Sequence, residues 1–138
     1  MRLYVDSNVL ISYVLQEIGK SGNVMFQDVG FFFEMCRLAK HELVLSDLCV
    51  KEVKGKTFFK TEEIFVLLEG IRVIFASVEE SDEILAASIL RRFGIHWLDA
   101  LHAAIAVRMG CDGIVSWNWK DFQKTNSLVK VYLPSEFV

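Results

Sequence analysis

The stretch Leu3-Tyr4-Val5-Asp6-Ser7-Asn8-Val9-Leu10-Ile11 decides how the chain reads. A short apolar run carries the backbone into a core, and a carboxylate appears where the run stops. Folding alone does not ask for an acid at that point. In open α/β sheets ligands bind in the crevice outside the carboxyl ends of the strands. Asp6 is therefore a site candidate before any other residue is considered. Its ordinary reading is a helix N-cap, but the neighbouring Ser7 offers the same service.

Outward from that stretch, residues 2–6 read as a strand buried on both faces. Ser7 can cap a helix of about 7–18, with Val9, Leu10, Tyr13 and Val14 on its inner side. Gly19-Lys20-Ser21-Gly22-Asn23 reads as a loop. A second apolar-periodic segment covers about 24–40. Glu42 to Ser46 is a strand and its exit, and Ser46 or Asp47 caps a helix to about Lys54. Thr61-Glu62-Glu63 opens a helix that runs to Glu69 and ends at Gly70, before the strand Arg72–Phe75. A helix of about 79–93 closes at Gly94. Trp97 to Met109 is helical and alanine-rich, with Gly110 as its stop. Asp112–Ser116 is a strand, Trp119–Phe122 a single turn, and Val129–Leu133 the last strand before Pro134. Five short strands alternating with helices predict a parallel α/β sheet.

The bulk properties bound the rest. The chain has 138 residues, 53% apolar and 24% charged, which is one globular domain with enough chain for a core. No apolar run approaches the roughly 18 residues of a spanning helix, so no membrane is expected. The start of the chain lacks a signal-peptide pattern. The three cysteines, Cys36, Cys49 and Cys111, form no CxxC pair. Buried reduced thiols in a cytoplasmic protein are expected in place of a disulfide or a zinc site. The net charge of −3 is not the footprint of a general nucleic-acid binder. It leaves room for an enzyme whose acids surround a cation, because bound ions reverse the local charge.

Further carboxylates stand at telling places. Asp99 opens the helix Leu98-Asp99-Ala100-Leu101-His102-Ala103-Ala104-Ile105-Ala106. Acids are common in a first turn, where the helix dipole favours them. Here Ala103 and Ala106 share its side, so the same face is small and apolar and packs close to the sheet, and an acid there needs a partner. Glu52 flanks the stripe Leu45, Cys49 and Val53, with Lys56 as a surface partner one turn on. Asn118 follows the strand ending at Ser116 as Asp6 follows the first, and can also cap the next turn; Asp121 lies three residues further. Several carboxylates brought together raise one another's pKa unless a cation neutralises them. Oxygen donors without histidine or cysteine suit Mg2+ or Mn2+.

Taken together, Asp6-Ser7-Asn8-Val9-Leu10-Ile11, Ser46 through Glu52, Leu98-Asp99-Ala100-Leu101-His102-Ala103-Ala104 and Ser116-Trp117-Asn118-Trp119-Lys120-Asp121-Phe122 resemble a PIN-domain protein of the VapC toxin type. Leu133-Pro134-Ser135-Glu136-Phe137 looks like the family's tail. The resemblance covers essentially the whole chain. It implies a single PIN-like domain over 1–138, a three-layer α/β/α sandwich around a twisted parallel sheet of about five strands. It also implies a Mg2+- or Mn2+-dependent ribonuclease, a homodimer and a small antitoxin partner. Metal-binding carboxylates fall on Asp6, Glu52 and Asp99, and small hydroxyl positions beside the site on Ser7 and Ser116. Asn118 departs from the pattern: many members carry Asp there, while others have Asn followed by an acid placed like Asp121. On this reading the catalytic set is Asp6, Glu52, Asp99, Asn118 and Asp121.

Other features have two readings each. Lys51, Lys54, Lys56 and Lys60 either guide an RNA backbone or form a solvated helix end. Trp117 and Trp119 either stack on bases or pack the loop. His102 is either a neighbour of the site or a core or surface residue. Phe31-Phe32-Phe33, Phe58-Phe59 and Phe65 are more aromatic than one small core comfortably hides; either some meet a second subunit or an antitoxin peptide, or they form a tightly packed local cluster. The competing functions are a catalytically weak PIN module that binds RNA or protein, and a phosphoryl-transfer domain. Response-regulator-like folds need an acidic pair and a late lysine, and dehalogenase-like phosphatases need Asp-x-Asp where this chain has Asp6-Ser7-Asn8; neither requirement is met.

Overall fold

In a computed structural model the structure of residues 1–17, 22 and 24–137 is described. Strand β1 (Arg2–Val5) leads into helix α1 (Ser7–Val14), followed by α2 (Met25–Ala39), β2 (Glu42–Ser46), α3 (Asp47–Lys56) and α4 (Thr61–Leu67). Then come β3 (Arg72–Ala76), α5 (Glu80–Phe93), α6 (Trp97–Arg108) and β4 (Gly113–Val115). The single turn α7 (Trp119–Phe122), a 3-10 turn Gln123–Thr125, β5 (Lys130–Tyr132) and a 3-10 turn Pro134–Phe137 complete the chain.

The five strands form one parallel sheet in the order β3-β2-β1-β4-β5. Period-2 alternation splits β1 between two cores. Leu3 and Val5 face α1, α2, α3 and α4, meeting Val9, Phe32, Cys49 and Ile64. Tyr4 faces the other way, toward Ala86 and Ile89 of α5 and the alanines of α6. Ala100, Ala103, Ala104 and Ala106 are all fully buried, so α6 lies close on the sheet, as its small face required. A bidentate contact from Arg108 to the buried Asp82 ties α6 to α5, with Nε–Oδ1 2.7 Å and Nη2–Oδ2 3.0 Å.

Helix ends differ from the sequence expectation at two places, α1 and α4. Helix α1 stops at Val14, not near 18; residue 18 and most of the loop expected at 19–23 lie outside the described residues. Gln16 takes a left-handed φ of 51°, and the Glu17 N–H reaches the Ser12 carbonyl at 2.9 Å. This is a Schellman closure built without glycine. Lys40 ends α2 in the same way at φ 57°. Helix α4 stops at Leu67, and Gly70 (φ 83°) makes the turn after it.

Of three consecutive phenylalanines, Phe32 and Phe33 are buried and Phe31 is 55% exposed. Cys36 and Cys49 are buried, and all three cysteines are free thiols. No helix among the described residues is long and apolar enough to cross a membrane.

Candidate metal centre at the switch point of the sheet

The order of the strands places the site. The chain moves from β1 through β2 to β3 on one side and returns to β4 and β5 on the other. The crevice between the carboxyl ends of β1 and β4 is the topological switch point. Asp6 ends β1 and Ser116 ends β4, and the Asp6 N–H bonds the Val115 carbonyl at 3.0 Å. Asp6, one of the two residues the sequence offers for the N-cap of α1, occupies that position. Its carboxylate makes no capping bond. The Ser116 hydroxyl instead donates to Asp6 Oδ2 at 2.7 Å.

Ser116 is the hinge of the loop. Its oxygen accepts the Asn118 N–H at 2.9 Å and the Asn8 amide at 3.3 Å. Asn8 Oδ1 in turn accepts the Trp117 N–H at 3.2 Å. Trp117 packs into the core and donates to Ser12 at 2.9 Å, so this tryptophan serves loop packing. Asn118 does not cap α7 with its side chain; its amide points to Asp99 Oδ2 at 3.4 Å.

Glu52 comes from α3, whose start is fixed by Ser46 accepting the Cys49 N–H at 3.0 Å. Among the described residues Glu52 has no ion pair with Lys56. Its Oε1 lies 2.7 Å from His102 Nε2. His102 is buried, 3.7 Å from Asp6 Oδ1, and its Nδ1 lies 2.5 Å from the Tyr4 hydroxyl. A cavity of about 270 Å3 collects these groups: Asp6, Ser7, Glu52, Asp99, His102 and Asn118 all line it. Asn8, His96 and Lys56 join them there. Asp121 does not line the cavity; its charge acts on Asp99.

The electrostatics follow from this crowding. Burial, then the charge of Asp6, pushes the Asp99 carboxyl above its usual range. Burial pulls His102 down, but its bond to Glu52 and the charges of Asp6, Glu52 and Asp99 outweigh burial and hold it above the ordinary histidine value. Negative charge at this rim is thus only partly compensated by the protein.

The sequence does not assign Asn8 or His96 to the site; His102, expected as either a neighbour of the site or a core or surface residue, is buried and beside it. Asn8 had a signal, being part of the same strand-end stretch as Asp6. His102 sits one turn after Asp99 but on the buried side of α6, and nothing in the sequence tells which partner it meets there.

A divalent ion fits the chemistry of this donor set. Among the described residues no three acid, histidine or cysteine side chains close around a metal as they stand. Magnesium does not require that, since it keeps several waters and takes one or two carboxylates together with substrate phosphates. Three carboxylates line one cavity, and the repulsion that raises Asp99 is what a cation relieves. A larger cavity of about 600 Å3 lies at the opposite rim, lined by Arg2, Arg37, Glu42 and Arg72. Its guanidinium groups are already engaged, Arg2 and Arg72 with Glu42 and Arg37 with the Glu69 carbonyl. It is a surface hollow away from the strand ends that carry chemistry in this class of sheet.

The architecture is matched across nearly its whole length by solved structures. VapBC2 from Rickettsia felis, bound to a DNA fragment from its promoter, superposes with a TM-score of 0.68 at 14% identity, covering 96% of this chain and 98% of that one. The chain has a VapC-like PIN fold. VapBC-1 from nontypeable Haemophilus influenzae matches this fold with a TM-score of 0.64 at 19% identity, over 98% of this chain and 99% of that one. FitAcB from Neisseria gonorrhoeae gives 0.62 at 18% identity, over 96% and 97%. No family model and no curated protein matches the sequence. The PIN fold is thus recognised through its geometry.

Proposed function

We propose that this chain is a divalent-metal-dependent ribonuclease, the toxin of a VapBC-type toxin–antitoxin pair acting in the cytoplasm. The observation that carries the reading is the meeting of Asp6, Glu52 and Asp99 at one cavity on the switch point of the sheet. Asp6, Glu52 and Asp99 would hold Mg2+ or Mn2+, and such an ion supplies an activated water and neutralises charge on a phosphodiester. Ser116 fixes the orientation of Asp6, and Asn118 steadies Asp99. Lys56, at the edge of the same cavity, offers a cation to the RNA backbone. Asp121 contributes negative potential from outside the cavity wall.

The partner assignment takes its support from the neighbours in fold, which are toxin–antitoxin complexes. A small antitoxin and a second copy of the chain belong to the same proposal. Phe31, Leu38 and Phe58, which are 55%, 76% and 104% exposed, are apolar surface for them to cover.

One observation favours a second reading, a catalytically weak PIN module that binds RNA or protein. Asn118 brings an amide where an acid would strengthen metal binding, and Asp121 stands off the cavity. Incubating the purified protein with single-stranded RNA and Mg2+ or Mn2+ separates the two. Cleavage is expected for the native protein and is lost in Asp6→Asn. RNA binding without cleavage selects the second reading, and full cleavage by Asp6→Asn sinks the site assignment.

A further inference from the structure

The polar groups behind Glu52 form a closed chain that the proposed reaction does not by itself explain. Ser46 Oγ accepts the Cys49 N–H at 3.0 Å and lies 2.7 Å from the Tyr4 hydroxyl. Tyr4 lies 2.5 Å from His102 Nδ1, and His102 Nε2 lies 2.7 Å from Glu52 Oε1. Tyr4, Ser46 and His102 are all buried, at 0%, 0% and 1% exposure. Such groups must be satisfied by one another.

Counting hydrogens fixes the working end of the chain. With a neutral ring, Ser46 donates to Tyr4, Tyr4 donates to Nδ1, and the ring hydrogen sits on Nε2. The other neutral tautomer would set a bare nitrogen lone pair against a carboxylate oxygen at 2.7 Å. A ring carrying both hydrogens also presents Nε2–H to Glu52. In each satisfied arrangement His102 donates to Glu52 Oε1.

We infer that His102, braced by Tyr4 and Ser46, is the positioning residue that holds Glu52 for metal binding. This rests on the metal-dependent reading above. Glu52 is a long side chain that is partly exposed, with 26% of its side-chain surface open to solvent, and ordering it for a ligand costs rotamer entropy. His102 removes that freedom by fixing one oxygen, and it leaves Oε2 without a hydrogen-bond partner among the described residues. The brace also spans the sheet. Glu52 rides on α3, which packs on one face, and His102 on α6, which packs on the other. The gap between two ligand-bearing layers is therefore set by a buried polar strut. Partners of this kind around metal ligands typically carry about 10–100-fold in metal affinity.

Titration of the metal-free protein with Mn2+, read by the free-ion electron-paramagnetic-resonance signal, tests this. His102→Leu should weaken Mn2+ binding by about tenfold or more, and His102→Gln, which keeps an N–H donor, should recover most of it. In a Glu52→Gln background His102→Leu should change little more, since the group it positions is gone. Tyr4→Phe removes one oxygen and leaves the ring, so it gives the same comparison should His102→Leu fail to fold; a several-fold loss is expected. Unchanged affinity in folded His102→Leu or in Tyr4→Phe, or an equal loss with and without Glu52, overturns the inference while leaving the metal reading intact. Absence of Mn2+ binding by the native protein overturns the metal reading, and the inference with it.

Discussion

His102 Nε2 and Glu52 Oε1 meet at 2.7 Å across 50 positions of sequence. One stands on the helix above the sheet and the other on the helix below it. Both side chains line the cavity that Asp6 and Asp99 also line.

Asp99 is held above the usual carboxylate range by burial and by the Asp6 charge. An acid with a raised value in the folded state adds stability at low pH and loses it as pH rises through that value. At neutral pH the ionised Asp99 therefore works against folding of the metal-free protein. Asp99→Asn is expected to raise the metal-free Tm at pH 7 by a few degrees, with the gain vanishing below about pH 4, where aspartate is protonated in the unfolded chain too. Saturating Mn2+ should reverse the ranking, because only the native protein gains binding energy from the ion. Differential scanning calorimetry at several pH values, with and without Mn2+, reads all three effects.

Gly113 begins β4 against β5, and a Cβ there would stand 2.5 Å from Tyr132 Cε2 and 2.6 Å from Cδ2. Gly113→Ala is expected to destabilise by about 1–3 kcal/mol through overpacking. Adding Tyr132→Leu should recover part of that loss. Urea denaturation of the single and double variants checks it; additive losses would show that the ring is not the obstacle.

Arg108 satisfies a carboxylate that is almost fully buried, Asp82 at 1% exposure. Removing a partner strands that charge. Since the Arg108 side chain is itself a quarter exposed, water relieves some of the cost, and Arg108→Ala should lose about 2–3 kcal/mol. Asp82→Asn placed in the same background should restore part of the stability. Chemical denaturation midpoints measure both steps.

Burial pushes the Cys36 and Cys111 thiols up to about 12. The thiolate is the reactive form, so both should alkylate far more slowly than a free cysteine at pH 8. Iodoacetamide labelling followed by intact-mass spectrometry is the check. Rapid labelling of native protein at Cys111 would contradict its environment.

Much of this was legible in the residues. Alternating apolar runs and helix starts locate the five strands, and Asp6 announces a site because an acid at a strand end serves no packing purpose. The alanine face of α6 correctly implied close packing under Asp99. Other features depend on tertiary neighbours. The turn at Gln16 uses the left-handed region without glycine, so the chain carries no mark of where α1 stops. Glu52 looked like a solvated glutamate with Lys56 beside it, and only the fold brings His102 to it. Asn118 looked like a cap and holds Asp99 instead. Asp121, three residues away on the short turn, is carried past the cavity wall.

The strand order also bears on synthesis. The first strand lies at the middle of the sheet and needs β4, more than a hundred positions later, as its second neighbour. Pairings so distant in the chain form late and slowly. A nascent polypeptide still missing its last quarter would have neither Ser116 to hold Asp6 nor Asn118 to meet Asp99. Translation therefore delivers Asp6 and Glu52 early and the arrangement of the rim late.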